Sequence, residues 1–202
     1  HYYSLTLDYI YFSLILCNMS KNISIFDQLK SRNGTLINYY ARPTRFTTGG
    51  VNATSADWIE SFSNYGLKNL VFAYMKNGLI PIGNTAIHLP IRHFFNHRVF
   101  SIPTNLSFLQ NDVSLVYLHE GWTLSNFLVA VYCFVHKIPY AVMPHGVYEP
   151  EIVGSLKMNS LRKIFEFLVL KHAKFVHIFF EGEKENVLKL CKSTKIAIAP
   201  TG

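Results

Sequence analysis

Short apolar runs alternate with longer stretches of helical spacing along most of this chain. That alternation predicts βαβ units built on a parallel sheet. Thr35 to Tyr40 is the first run of strand length, ended by Arg42-Pro43. The loop Thr47-Thr48-Gly49-Gly50 leads to a helix expected from about Ala53 to Tyr65, with Trp58, Ile59 and Phe62 on one face and Gly66 as C-cap. Leu70 to Tyr74 predicts the next strand. Between 76 and 112, Gly, Asn, Pro and His break the pattern, and only Arg98 to Ile102 keeps a strand-like spacing.

From Val113 onward the pattern sharpens. Val113 to Leu118 is mostly apolar, as a parallel strand buried on both faces would be. Leu124 to Val135 is apolar nearly all round and predicts a buried helix, and Tyr140 to Met143 a strand that ends at Pro144-His145-Gly146. A long amphipathic helix is expected from Lys157 to His172, with Leu161, Ile164, Phe165 and Leu168 on its apolar face and Arg162, Lys163 and Glu166 off it. Phe175 to Phe180, Glu183 to Leu190 and Lys195 to Ala199 read as strand, short helix and strand. The count is about six strands with helices between them, an α/β fold with a doubly wound, mostly parallel Rossmann-like sheet.

Composition changes this picture little. Half of the 202 residues are hydrophobic and 15% are charged, which excludes intrinsic disorder and suits one domain with a large core. Tyr9 to Cys17 is about half the length needed to cross a bilayer, and Leu156 to Phe175 carries six charged side chains, so no transmembrane segment is expected. The net charge of +7 suits anionic partners, and equally an ordinary domain rich in Lys and Asn. Cys17, Cys133 and Cys191 form no CxxC pair, which fits a reducing compartment and neither a disulfide framework nor a zinc site.

Two expectations concern the ends. The first methionine is Met19, so residues 1–18 are expected to be upstream sequence read in frame, within an N-terminal extension covering 1–34. The domain proper spans 35–202, and its finish on Pro200-Thr201-Gly202, directly after a strand, is expected to be a truncation.

Ligands of doubly wound sheets bind at the carboxyl ends of the strands, so polar and glycine residues just after strands are the candidates. Gly49 and Gly50, between a strand and a helix, permit close backbone approach to a phosphate or an acceptor, or serve simply as a flexible turn. His119 and Glu120 stand at the mouth of the Val113 strand, as sugar-hydroxyl ligands or as a satisfied histidine and a helix-terminal carboxylate. His145, between Pro144 and Gly146, is held at a strand rim and favours function over structure. No GxGxxG, P-loop or HExxH is present.

These residues resemble the N-terminal domain of retaining GT-B glycosyltransferases, in particular glycosyltransferase family four, over about residues 35 to 202. Thr48-Gly49-Gly50-Val51 is similar to the family's opening glycine loop, and Asn64-Tyr65-Gly66-Leu67 to its following turn, with Leu67 where that turn has histidine. Tyr117-Leu118-His119-Glu120 is similar to the strand ending in a polar pair. Met143 to Pro150 resembles the "PHG…P" segment, followed by a basic helix and the Glu181 to Glu185 turn. Ala199 to Gly202 is similar to the segment leading into the second domain.

The resemblance implies transfer of a sugar from a nucleotide diphosphate sugar to a glycan, polysaccharide or lipid-linked acceptor, with retention. His145 would lie near the reacting sugar, Gly49 and Gly50 at the donor phosphates or acceptor, and His119, Glu120 and Gly146 on the acceptor side. It implies no cofactor and no metal. The donor-binding C-terminal domain would lie outside this chain, leaving the fragment inactive alone. It also implies a cytoplasmic location, with peripheral contact at the inner membrane face as one option; the basic stretch Lys157 to Lys174 would meet anionic lipid there or, more simply, form a solvated helix face. The competing classes are a non-catalytic basic Rossmann-like binding module and a nucleotide-dependent oxidoreductase or epimerase. Tyr and Phe fall mostly in apolar runs, which argues for core and against nucleic acid, and the missing glycine fingerprint argues against the oxidoreductase.

Overall fold

The structure is a computed structural model that describes residues 35–40, 50–64, 68–73, 86–88, 91–93, 101–103, 106, 109, 112–155 and 160–199. In chain order the elements are β1 (Thr35–Tyr40), α1 (Gly50–Asn64), β2 (Lys68–Ala73), β3 (Ala86–His88), β4 (Ile91–His93), β5 (Ser101–Pro103) and β6 (Val113–His119). There follow α2 (Leu124–Val135), β7 (Tyr140–Met143), α3 (Pro150–Ser155), α4 (Ser160–His172), β8 (Val176–Ile178), α5 (Glu181–Leu190) and β9 (Ile196–Ile198).

One sheet runs in the order β3-β2-β1-β6-β7-β8-β9, with every described pairing parallel. From β1 the chain builds outward to one edge and then, from β6, to the other, so strand order switches between β1 and β6. Right-handed crossovers in opposite directions place helices on opposite faces. On one face Trp58 and Phe62 of α1 pack with Leu36, Leu115, Tyr117, Met143 and Phe175. On the other, Val129, Val169, Leu170 and Val187 from α2, α4 and α5 pack with Ile37, Val116, Leu118, Val142 and Ile178. Leu115 to His119 are buried throughout, which is why β6 reads as a run rather than an alternation.

α2 spans the expected residues, and its N-cap Thr123 accepts a hydrogen bond from the Asn126 N–H at 3.1 Å. Of the strand expected at Arg98 to Ile102, the described part is Ser101–Pro103, which pairs antiparallel with β4 in a separate ribbon. Two expectations need correction. The α2 helix is not buried all round, since Val131, Phe134 and Val135 are exposed. Of the helix expected from Lys157 to His172, α4 is described from Ser160, and its faces are divided differently: Phe165 and Leu168 are half-buried as expected, but Leu161 and Ile164 are more than half exposed while Glu166 is buried. Glu166 is drawn inward because it satisfies polar groups of two loops, a demand that hydrophobic periodicity does not register. Residues 1–34, Gly49, Gly66 and 200–202 lie outside the described residues, as does Cys17; Cys133 and Cys191 are buried and free.

Candidate functional site

The carboxyl ends of β1, β6, β7 and β8 meet on the α1 face of the sheet. Successive residues of a strand point to opposite faces, so Asn38 and Tyr40 share that face, as do Tyr117 and His119, with His177 beside them on β8. Register sets Asn38 opposite Tyr117 and Tyr40 opposite His119. This polar group therefore sits at the strand-order switch, where doubly wound sheets bind ligands.

His119 is fully buried and both ring nitrogens are engaged. Its Nε2 lies 3.1 Å from Asn38 Oδ1 and its Nδ1 2.9 Å from His145 Nε2. Tyr40 stacks on its face, with 4.0 Å between ring centres, and the His145 ring meets its edge, with 5.2 Å between centres. His177 Nε2 donates to the Ala199 carbonyl at 3.2 Å, which leaves Nδ1 to accept from the Tyr117 hydroxyl at 3.4 Å. Burial pushes all three histidines down: His119 well below the usual histidine range, His145 to about 3 and His177 to about 4. Repulsion from His145 and then His177 lowers His119 further, and repulsion from His177 lowers His145. The cluster is neutral at neutral pH.

His145 is half-buried, with its side chain lodged beside Phe179 at 5.5 Å between ring centres. Its Nδ1 is shielded from solvent and has no hydrogen-bond partner among the described residues. The turn that presents it is left-handed twice over, with φ of 54° at His145 and 75° at Gly146, closed by the Val147 N–H donating to Pro144 O at 3.3 Å. These are the φ signs of a type I′ turn, which explains glycine at the second position.

The loop after β6 is also left-handed, at Glu120 (φ 64°) and Trp122 (φ 62°). Glu120 N–H donates to Met143 O at 2.8 Å, extending the β6–β7 ladder past the strand. Asn126 Nδ2 donates to His119 O at 3.0 Å and ties the loop to α2. Behind the loops, Glu166 of α4 accepts from the Trp122 N–H at 2.7 Å and from the Tyr148 hydroxyl. Trp122 Nε1 donates to Val147 O at 3.0 Å, and Arg162 Nε to Trp122 O at 3.0 Å. A Cβ on Gly121 would fall 2.9 Å from Glu166 Oε1 and 3.0 Å from the Tyr148 ring, so only glycine fits between them.

The structure thus brings His119, Glu120, His145 and Gly146 together at adjacent strand mouths. Gly50 opens α1 after β1, and Gly49 lies outside the described residues. Asn38, Tyr117, His177 and Glu166 were not legible as site residues. The usable signal was a polar residue inside a fully buried strand, which needs a partner. Among the described residues no group of three or more His, Cys, Asp or Glu is placed to hold a metal ion, and no helix is long and apolar enough to cross a membrane.

No family model and no curated protein matches this chain. In three dimensions it is similar to sucrose-phosphate synthase from Thermosynechococcus elongatus, with a TM-score of 0.53 and 13% sequence identity, over 82% of this chain and 48% of that one. The chain spans about half the length of that protein. The likeness establishes the fold alone, an α/β Rossmann-like parallel sheet flanked by helices.

Proposed function

We propose that this chain is the acceptor-side Rossmann-like domain, 35–202, of a retaining glycosyltransferase resembling family four. It would act with a donor-binding domain outside the chain to move a sugar from a nucleotide diphosphate sugar to a glycan, polysaccharide or lipid-linked acceptor, with no cofactor and no metal. The observation that carries this is His145: a neutral histidine at a strand mouth beside the strand-order switch, with an acceptor nitrogen that no described residue uses. Such a nitrogen can hold a hydroxyl of the transferred sugar and fix its ring as the bond to the leaving phosphate opens. Glu120 and Gly146 would line the acceptor side, with Gly49 and Gly50 at the donor phosphates or acceptor. His119, wholly buried, would act through His145.

The test is turnover by the full-length enzyme with nucleotide diphosphate sugars. His145→Ala should lower turnover about 100-fold while donor affinity changes by a small factor. Turnover equal to that of the unaltered enzyme would remove His145 from the reaction.

A peripheral contact with the cytoplasmic face of a membrane belongs to the same proposal. α2 and α4 lie side by side, with Phe127 stacked on Phe165 at 4.2 Å and Phe134 against His172 at 4.6 Å, seven residues further along both helices. Their outer surface exposes Val131, Phe134 (60%), Leu161 (54%), Ile164 (52%) and Phe167. Lys137, Lys163, Lys171 and Lys174 are exposed too. No acid occurs from Gly121 to Tyr148, and from Ser160 to Phe180 the one acid, Glu166, is buried. Apolar side chains among lysines without carboxylates suit an anionic lipid surface, each lysine contributing about 1 kcal/mol.

A further inference from the structure

We propose that Asn38 and His119 are positioning residues that lock His145 in its Nε2–H tautomer, so that its Nδ1 is a permanent hydrogen-bond acceptor at the mouth of β7.

A carboxamide oxygen only accepts, so at 3.1 Å from Asn38 Oδ1 the His119 Nε2 must carry a proton and donate it. A neutral imidazole has one N–H, so His119 Nδ1 is a bare lone pair and can only accept. His145 Nε2, 2.9 Å away, must then donate to it. This uses the one N–H of a neutral His145 and leaves Nδ1 as a lone pair, the atom that lacks a partner among the described residues. The geometry suits the relay: Tyr40 stacks on the face of the His119 ring at 4.0 Å, while His145 meets its edge nearly in plane, with 5.2 Å between ring centres and 21° between planes. Burial keeps both rings neutral, so the relay holds its direction near neutral pH.

His177 shows the contrast. Its Nε2 donates to a carbonyl and its Nδ1 accepts from Tyr117, so that chain is closed at both ends by protein. The chain from Asn38 ends at His145 Nδ1, which is buried and engaged by no described residue, so a ligand reaching it needs the covering groups to move aside. A ligand group meeting Nδ1 must be a hydrogen-bond donor, a hydroxyl or an amine, whereas a phosphate oxygen would meet a lone pair. Naming that hydroxyl as a sugar's rests on the proposed function; the tautomer relay does not.

The experiment is long-range proton–nitrogen correlation on the 15N-labelled full-length protein at pH 7, with His145→Gln to assign signals. The expected result is a protonated Nε2 and a bare Nδ1 at both His119 and His145. In Asn38→Leu, and in His119→Phe, which keeps the stacked ring but removes the acceptor, His145 should become a mixture of both tautomers. A purely structural role for Asn38 would lower the melting temperature without moving the His145 nitrogen shifts. An Nδ1–H tautomer at His145 in the unaltered protein overturns the relay, as does a folded variant that keeps pure Nε2–H. If neither variant folds, the unaltered protein decides, with Nε2–H at both rings supporting the relay. The expected tautomers without sugar transfer by the full-length enzyme would leave the relay standing and overturn the transferase assignment.

Discussion

His145 occupies a left-handed backbone conformation that non-glycine residues visit at a cost of about 1–2 kcal/mol, and Gly146 continues it without that strain. Strain of this kind persists where the surroundings hold it, here the His119 hydrogen bond and the closed turn. The histidine cluster also makes stability depend on pH in a definite direction. Burial lowers the folded-state values, to about 4 for His177 and about 3 for His145, against roughly 6.5 in an unfolded chain. Below that ordinary value the unfolded chain takes up protons that the fold refuses. The contribution is therefore complete above pH 6.5 and is lost as pH falls towards 4 and 3. Melting temperature should decline from pH 6.5 to 4, and His177→Asn, which cannot titrate, should flatten that decline. An unchanged slope in the variant would show that other groups control it.

At the scale of the element, α4 acts as a brace. Its Glu166 joins the loop after β6, through the Trp122 N–H, to the segment after β7, through the Tyr148 hydroxyl. Arg162 holds the Trp122 carbonyl from the same helix. Glu166→Leu would leave a buried N–H and a buried hydroxyl without their acceptor and should destabilise the protein by about 3 kcal/mol. Glu166→Gln should retain most of the stability, because one amide oxygen serves Trp122 while the Tyr148 hydroxyl can turn to accept from the amide nitrogen. Denaturant midpoints of the two variants decide; equal, small losses would mean the carboxylate is not what joins the loops.

Across the whole molecule, the sheet divides labour between its faces. The α1 face carries the polar cluster at the strand-order switch, and the other face carries α2 and α4 with their exposed apolar and basic surface. The proposed membrane contact predicts co-sedimentation of the full-length protein with phosphatidylglycerol vesicles, weakened by salt and absent with phosphatidylcholine alone. Phe134→Glu and Ile164→Glu should each reduce binding severalfold. Binding that survives both changes would place any membrane contact elsewhere.

Much of the fold was legible along the chain. β1, α2 and β7 lie at the expected residues and β6 runs one residue longer, because central strands are buried on both faces and show unbroken apolar runs, while Thr123 marks the start of α2. Residues 76–112 were not legible, since three-residue strands such as β3, β4 and β5 are too short to show a period. Candidate site residues could be chosen at His119, Glu120, His145 and Gly146 from their place after apolar runs. Asn38 and His177 could not, because strand periodicity assigns a polar residue to a face without naming its partner. The sequence by itself determined the βαβ order and which polar residues follow which strands, since local apolar spacing and turn chemistry suffice for both. Tertiary structure alone decided that α4 turns Glu166 inward and that Asn38, His119 and His145 form one chain of hydrogen bonds. A buried polar atom must be satisfied, and the atoms that satisfy it come from strands up to 81 residues apart.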